Sequence, residues 1–307
     1  MAERNQIQYL RHTQIDKSKW DSCIDDSSNG LIYAYSFYLD AMARHWDAFV
    51  LNDYEIVMPL TWNRKLGVSY LYQPAFTAAL GLFGRKITEE QLHNFIEEAV
   101  RHFRFIEISL NEGNILAAPH GFTQLRSNYL LKLNKPYPEL AAAYRENHLR
   151  NIKKAFVAGC SVKKAIAVED IIRINREQMR TAHRVSDNDY ENFKKLFYLL
   201  KEKQQAETYA IVDQKNNIMS SCVFFYSHNR AYYILVGNTT EGKTIGASHA
   251  LIDAFIKDNA GKDMILDFEG SDIRNLAFFY NGFGAKEELY PFLKVNKLPF
   301  YLRLFKK

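Results

Sequence analysis

Two carboxylates and a tyrosine near the end of the chain are the residues best suited to acid–base chemistry. Asp267 and Glu269 lie two residues apart in the alternating segment 264–269. In a strand this spacing puts both carboxylates on one face, roughly 6.5–7 Å apart. Their mutual repulsion would raise the pKa of one carboxyl and leave it able to accept a proton from an amine. Tyr280 would then supply the acid.

Glu269 and Tyr280 each also have a structural interpretation. Glu269 can cap the helix whose first turn follows Ser271, because acidic groups stabilise helix N-termini. Tyr280 lies beside Phe278 and Phe279 in a helical pattern, which is typical of a packed face. The sequence leaves both interpretations open for each residue.

A run of small residues joins a predicted strand at 231–236 to a predicted helix at 245–258. Such a run lets an anion approach the unpaired N–H groups and the dipole at a helix start. The residues predicted to bind the anion are Asn238, Lys243, Gly246 and Ser248. The run Gly237-x4-Gly242-Lys243-Thr244 satisfies the Walker A pattern, but a P-loop follows a buried parallel strand, whereas this strand ends a meander.

Positive charge is concentrated in two segments of a chain whose net charge is +5. Residues 143–164 carry six bases and one acid, and residues 289–307 carry five bases and no acid. Arg150, Lys153 and Lys154 are spaced i, i+3 and i+4, so a helix places them on one face. We predict that they bind an anionic substrate. The alternative is an ordinary solvated helix face.

Composition restricts the class of protein. The chain has 307 residues, of which 47% are hydrophobic and 24% charged, as in globular proteins and unlike disordered ones. No apolar run is long enough for a membrane span, and the N-terminus has no apolar signal core. Cys23, Cys160 and Cys222 have no CxxC spacing, so we expect reduced thiols in a cytoplasmic protein. The nine histidines show no HxxxH or HExxH spacing, which predicts no metal site.

The elements that must position these residues alternate irregularly between helix and strand. Thr88-x-x-Gln91 is a capping box before a helix, and three strands of a meander are predicted at 208–213, 218–226 and 231–236. Helices are predicted at 139–156 and 273–280. The second half therefore reads as one α/β unit, and the first half as a looser version of it.

The segment around the small-residue run resembles the GNAT fold of acyl-CoA N-acyltransferases. Lys243-x-x-Gly246-x-Ser248 is similar to the pyrophosphate loop of that fold, and Tyr280-x3-Gly284 is similar to the end of its second helix. Lys243 stands where the family has Arg or Gln, and Ala285 replaces a Phe. The resemblance implies that the small-residue run binds an acyl donor through its phosphates.

A second resemblance covers nearly the whole chain. The stretch 150–155, Arg-Asn-Ile-Lys-Lys-Ala, is similar to one in the FemABX proteins, and 267–271, Asp-Phe-Glu-Gly-Ser, resembles a motif of their bacterial relatives. FemABX proteins contain two GNAT-like domains and transfer amino acids from aminoacyl-tRNA to peptidoglycan precursors. The resemblance thus implies a bacterial-type transferase.

The order of elements predicts an α/β fold with mixed sheets, and the FemABX resemblance implies that it is arranged as two tandem GNAT-like domains. The N-terminal domain is placed at 1–145 and the C-terminal domain at 146–307, with the extreme C-terminus packing back on the first. The predicted function is transfer of an activated acyl or aminoacyl group to an amine. Two alternatives stay open: an acyl-CoA-dependent N-acetyltransferase, or a catalytically inert protein of this fold that binds a nucleotide-like ligand.

The resemblance also implies partners. No cofactor is expected to be bound permanently, and acyl-CoA or aminoacyl-tRNA would be the co-substrate. The acceptor would be a small-molecule or peptide amine. The larger partners that fit are tRNA and a UDP-linked cell-wall precursor.

Overall fold

The computed structural model describes residues 6–115, 121–179, 185–270 and 273–300 as a mixed α/β protein. The strands are β1 (Ile7–Leu10), β2 (His45–Leu51), β3 (Ile56–Lys65), β4 (Val68–Tyr72), β5 (Phe83–Gly84), β6 (Phe105–Ser109), β7 (Thr123–Lys132), β8 (Ser161–Lys164), β9 (Ala206–Val212), β10 (Ile218–Ser227), β11 (Arg230–Asn238), β12 (Ile265–Asp267) and β13 (Lys286–Asn296). The helices are α1 (Lys17–Asp26), α2 (Ser36–Met42), α3 (Glu89–His102), α4 (Tyr137–Ala142), α5 (Glu146–Val157), α6 (Val168–Met179), α7 (Asp187–Glu202), α8 (Thr240–Ile245), α9 (Ala247–Asn259) and α10 (Arg274–Asn281). Within the described ranges, no helix has the length and apolar character needed to cross a bilayer.

The chain divides into two compact units. The first comprises the residues up to Arg126 together with those from Leu289 onward, and the second is Ser127–Glu288. The sequence instead placed a single boundary at 145/146. Residues 127–145 lie in the second unit because β7 pairs with β12 there. Strand β13 carries the chain back to the first unit, where residues 292–296 pair with β6.

The first unit is built on strands in the order β1-β2-β3-β4-β6-β13, with β5 paired to β3. Neighbouring strands are antiparallel except β4 and β6, which run parallel. Helix α3 begins at the predicted capping box, in which the side chains of Thr88 and Gln91 each accept a backbone N–H of the other. Its buried face, which includes Phe95 and Ile96, joins the core beside Phe49 of β2. Amphipathic helix packing thus closes one face of the sheet.

The second unit repeats this succession of strands, in the order β8-β9-β10-β11-β12-β7. Neighbours are again antiparallel except for one parallel pair, β11 and β12. The predicted meander is confirmed as β9, β10 and β11. Helix α9 packs on it, and the ring of Phe255 stacks on Phe224 with centroids 3.7 Å apart. Because α9 is held against the meander by this packing, the segment that joins β11 to α9 has a fixed position.

Two predicted helices are each interrupted. The segment predicted as one helix at 139–156 forms α4 and α5, and Arg145 between them donates its backbone N–H to the carbonyl of Gly282. The helix predicted at 245–258 is broken at Gly246: Ile245 is the last residue of α8, and α9 begins at Ala247. The φ angle of Gly246 is +85°, a left-handed conformation that ends one helix and starts the next.

Candidate active site

The parallel strand pair of the second unit opens after three residues. Residues 230–232 of β11 pair with residues 265–267 of β12, where β12 ends, while β11 continues to Asn238. Leu235 forms a bulge, since the pairing of β11 with β10 shifts register there, and its φ angle is +43°. A bulky residue at positive φ is strained, and bulges bend strands beside functional sites. We take the opening between β11 and β12 as the candidate active site.

Asp267, the last residue of β12, is a buried carboxylate with both oxygens engaged. Its Oδ2 lies 2.8 Å from Nη1 of Arg230, and the side chains of the pair are only 6% and 11% exposed. Its Oδ1 accepts hydrogen bonds from Asn128 Nδ2 at 2.9 Å and from the backbone N–H of Glu269 at 2.8 Å. These contacts indicate that Asp267 stabilises the turn that follows β12.

Glu269 lies in that turn and not in the strand. Its φ angle is +63°, and Asn128 Oδ1 holds the turn by accepting the backbone N–H of Gly270. The prediction that alternation puts both carboxylates on one strand face is therefore wrong, because the strand ends at Asp267 and a left-handed residue leaves the pleat. The capping interpretation referred to Ser271, which lies outside the described residues. The N-cap of α10 is Ile273, which makes no side-chain capping hydrogen bond.

Tyr280, on α10, is brought close to the turn that holds Glu269. Its side chain is 8% exposed, and its ring stacks on Phe268 with centroids 4.5 Å apart. Burial raises the pKa of Tyr280 well above its usual value, and the negative charge of Glu269 raises it further. The tyrosine therefore stays protonated at neutral pH, and its pKa responds to the charge of Glu269.

Two of the predicted anion-binding residues bind each other. Asn238 ends β11, and its Oδ1 accepts hydrogen bonds from Ser248 at 2.7 Å and from Ser220 at 2.6 Å. Its backbone N–H donates to Gln178 Oε1 at 2.8 Å. These contacts join β10, β11 and the first turn of α9. They fix the position of the loop at the far end of β11 from the β12 pairing.

Gly246 provides close packing against α5. A Cβ atom at Gly246 would lie 2.4 Å from the backbone oxygen of Asn151, so only glycine fits. Lys243 is exposed on α8, one turn earlier. The side chain of Lys154 on α5 donates to the carbonyl of Thr244 at 2.8 Å. The structure thus brings the small-residue loop and the basic helix together.

The three predicted cations share one exposed face of α5. Arg150, Lys153 and Lys154 are all exposed, as their spacing indicates. Among their side chains, only that of Lys154 makes a hydrogen bond to another described residue, the contact with Thr244. The side chains of Arg150 and Lys153 form no ion pair with any residue that the structure describes, so their charge is available to an anionic group.

Sequence reasoning missed several residues that shape this region. Arg230 and Asn128 hold Asp267, but they lie far from it in sequence, and no local pattern marks either one. His148 and His249 form an edge-to-face pair with centroids 4.7 Å apart. Desolvation lowers the pKa of both, and that of His249 falls to about 4. This packing requires glycine at position 282, because a Cβ there would lie 2.0 Å from the His148 ring. Gly282 is therefore the residue that could have indicated it in the sequence.

The thiols and metal-ligating side chains add no further chemistry to the opening. Cys23, Cys160 and Cys222 are all buried and free, and burial raises the pKa of each. A buried thiol with a raised pKa is a poor nucleophile. Over the described part of the chain, no group of three or more His, Cys, Asp and Glu side chains could hold a metal ion.

Comparison with known proteins identifies the fold. Neither a protein-family model nor a curated protein sequence matches this chain. It is similar to the crystal structure of FemX, with a TM-score of 0.65 and 11% identity over 97% of this chain and 99% of that one. It is similar to L-PGS from Bacillus licheniformis (TM-score 0.55, 10% identity, 94% of this chain and 95% of that one). The C-terminal domain of a candidate lysylphosphatidylglycerol synthetase from Agrobacterium fabrum gives a TM-score of 0.55 at 8% identity, over 94% of this chain and 95% of that one. The chain therefore has the FemABX-like fold, and the resemblance drawn from the sequence is confirmed at that level.

Proposed function

We propose that the protein is an N-acyltransferase that moves an activated acyl or aminoacyl group to an amine, and that its two units are tandem GNAT-like domains. The shared fold with FemX supports this proposal, as does the common strand succession of the two units. One observation carries it. The parallel strands β11 and β12 part beside a strained bulge, and Glu269 and Tyr280 lie where they part.

In the proposed reaction the amine nitrogen attacks the acyl carbonyl carbon, and the bond from that carbon to the carrier oxygen or sulfur breaks. Glu269 accepts the amine proton, directly or through a water. Tyr280, which its raised pKa keeps protonated at neutral pH, is the candidate to donate a proton to the leaving oxygen or sulfur. Beyond residue 232 the backbone of β11 has no partner in β12, so its N–H groups are the candidates to stabilise the oxyanion.

The remaining predicted residues are assigned to the two substrates. Lys243 and the Asn238–Ser248 pair would bind the phosphates of the donor at the start of α9, and Gly246 allows the close packing that shapes this loop. The exposed cations of α5 would bind an anionic group of the acceptor or of an aminoacyl-tRNA. Asp267 is a positioning residue in this scheme, because it touches Glu269 and not a substrate.

The donor is tested by ligand-dependent thermal stabilisation. Acetyl-CoA, a UDP-linked cell-wall precursor and bulk tRNA are each added to the protein, and the melting temperature is measured. Stabilisation by the UDP-linked precursor or tRNA supports the FemABX-like version. Stabilisation by acetyl-CoA alone supports an acyl-CoA-dependent N-acetyltransferase. Binding of any of them without measurable acyl transfer supports the inert alternative.

The base is tested by Glu269→Gln, which preserves shape and removes the charge. With the stabilising donor and a panel of amines, we expect turnover to fall by roughly 10²–10⁴ while donor affinity stays the same. The rate should also lose its rise with pH. Glu288→Gln, an exposed glutamate of β13, is the matched control and should behave as wild type. Normal turnover by Glu269→Gln would show that this carboxylate is not the base.

A further inference from the structure

Helix α5 carries large apolar side chains on its exposed side. Leu149 is 47% exposed, Phe156 is 42% exposed and Val157 is 78% exposed. The opposite side is packed, since His148 and Ala155 are buried and Gly246 of the neighbouring loop touches the α5 backbone. The helix is therefore fixed in the fold with an apolar strip directed to solvent. We call the residues Leu149, Arg150, Lys153, Lys154, Phe156 and Val157 the α5 outer face.

The cations of this face are interleaved with its apolar side chains. At 100° per residue, Lys153 lies between Leu149 and Val157 around the helix, and Arg150 lies just beyond Val157. The acidic residue of α5, Glu146, lies on the same side in the first helical turn, one turn from Leu149 and Arg150 and about three turns from Val157, so the face carries three cations against one carboxylate. Long basic side chains reach outward past neighbouring apolar groups while their charged ends stay in polar surroundings. Basic side chains beside exposed apolar groups suit a membrane interface, where the apolar groups enter the headgroup region and the long cationic side chains keep their charged ends in it.

We propose that the α5 outer face docks the protein on the surface of a bilayer that contains anionic lipid. The apolar side chains would enter the headgroup region, and the three cations would face the lipid phosphates. Nucleic acid suits this face less well, because Phe156 is the single aromatic ring of the face that could stack on a base, and Leu149 and Val157 can neither stack on bases nor bond to them. A second copy of the chain would place cation against cation. The inference does not require acyl transfer, and it shares with the proposed function only the cations.

The test is co-sedimentation of the whole protein with vesicles. Phosphatidylcholine vesicles are compared with vesicles that also contain phosphatidylglycerol. We expect roughly 100-fold tighter binding to the anionic vesicles, because each basic side chain near such a surface contributes a several-fold gain. The gain should shrink with added salt. Equal binding to both vesicle types, or no binding to either, would overturn the proposal.

Variants separate the apolar strip from the cations. The triple change Leu149→Ser, Phe156→Ser and Val157→Ser removes the apolar contacts and keeps all three charges. We expect it to lower vesicle binding at least tenfold, and far-UV circular dichroism checks that the fold survives the loss of side chains that are 42–78% exposed. Leu125→Ser, at a leucine 60% exposed on β7, is the matched control and should bind as wild type.

Soluble anions supply the last arm of the experiment. Bulk tRNA and UDP are titrated against the wild type and the triple-serine variant under the same salt conditions. If the triple change lowers vesicle binding and leaves tRNA binding unaffected, the result supports a lipid surface as the partner. Binding of tRNA or UDP with vesicle binding equal in the two proteins would overturn the lipid assignment and leave the cation role of the proposed function intact.

Discussion

The ion pair of Asp267 and Arg230 should contribute more to stability than any exposed pair of the second unit. Asp267→Ala removes three contacts at once: the salt bridge to Arg230, and the hydrogen bonds from Asn128 and from the backbone of Glu269. It also leaves a guanidinium in a site where the side chain is only 11% exposed. The cost should therefore be dominated by the loss of the carboxylate that lies 2.8 Å from this buried guanidinium.

Breaking a buried pair from one side costs about 3–5 kcal/mol, and the two additional hydrogen bonds make the upper part of that range the expectation. Asp267→Asn should cost less, because the amide oxygen can still accept the N–H of Glu269. The matched exposed pair is Arg173 with Asp170, 3.5 Å apart and 59% and 49% exposed. Asp170→Asn should change the unfolding free energy by less than about 1 kcal/mol.

Urea unfolding followed by far-UV circular dichroism measures these differences as shifts of midpoint at constant m-value. The expected order of stability is wild type close to Asp170→Asn, then Asp267→Asn, then Asp267→Ala. If Asp267→Ala unfolds within about 1 kcal/mol of wild type, the burial of this pair does not determine the stability of the turn, and the reasoning fails.

Two further predictions concern the contact between α5 and α9. Gly246→Ala should destabilise the protein in urea unfolding by more than Gly261→Ala, because a Cβ at Gly246 would collide with the backbone of Asn151. Gly261 is the control: its φ is also positive, at +82°, but open space surrounds it, so Gly261→Ala should cost about 1 kcal/mol. The pKa of His249 is lowered to about 4 by desolvation and by His148, so the unfolded chain takes up a proton at this group as pH falls below about 6.5. Its contribution to stability is therefore complete above that pH and declines toward pH 4, and His249→Phe should flatten the decline measured between pH 6.5 and 5.

The regular elements could be predicted because their signals are local. The capping box at Thr88 and Gln91 and the alternation of the meander both depend on neighbours within a few residues. The break between α4 and α5 could not, since it follows from a hydrogen bond between Arg145 and Gly282, which are far apart in sequence. The pairing of β7 with β12 is also long-range, so the boundary predicted at 145/146 did not take it into account.

The candidate site shows the same division. The basic residues of α5 share a face because helical spacing is local. The structure brings Tyr280 within electrostatic reach of Glu269, and their roles as acid and base stay a prediction. Strand alternation failed at Glu269 because contacts from Asn128 and Asp267 turn the backbone out of the pleat. Long-range polar contacts of this kind leave no periodic signal in a sequence.

The backbone of Glu269 offers a way to separate catalysis from structure. Its φ of +63° costs a glutamate about 1 kcal/mol relative to glycine, so a chain under selection for stability alone would favour glycine at this position. Glu269→Gly removes this backbone cost together with the contacts of the carboxylate itself, so the midpoint of urea unfolding reports the balance of the two, while turnover should fall as far as in Glu269→Gln. Stability gained together with lost activity is the signature of strain retained for function. If Glu269→Gly instead destabilises the fold by several kcal/mol, the carboxylate holds the turn together, and its presence there is explained without chemistry.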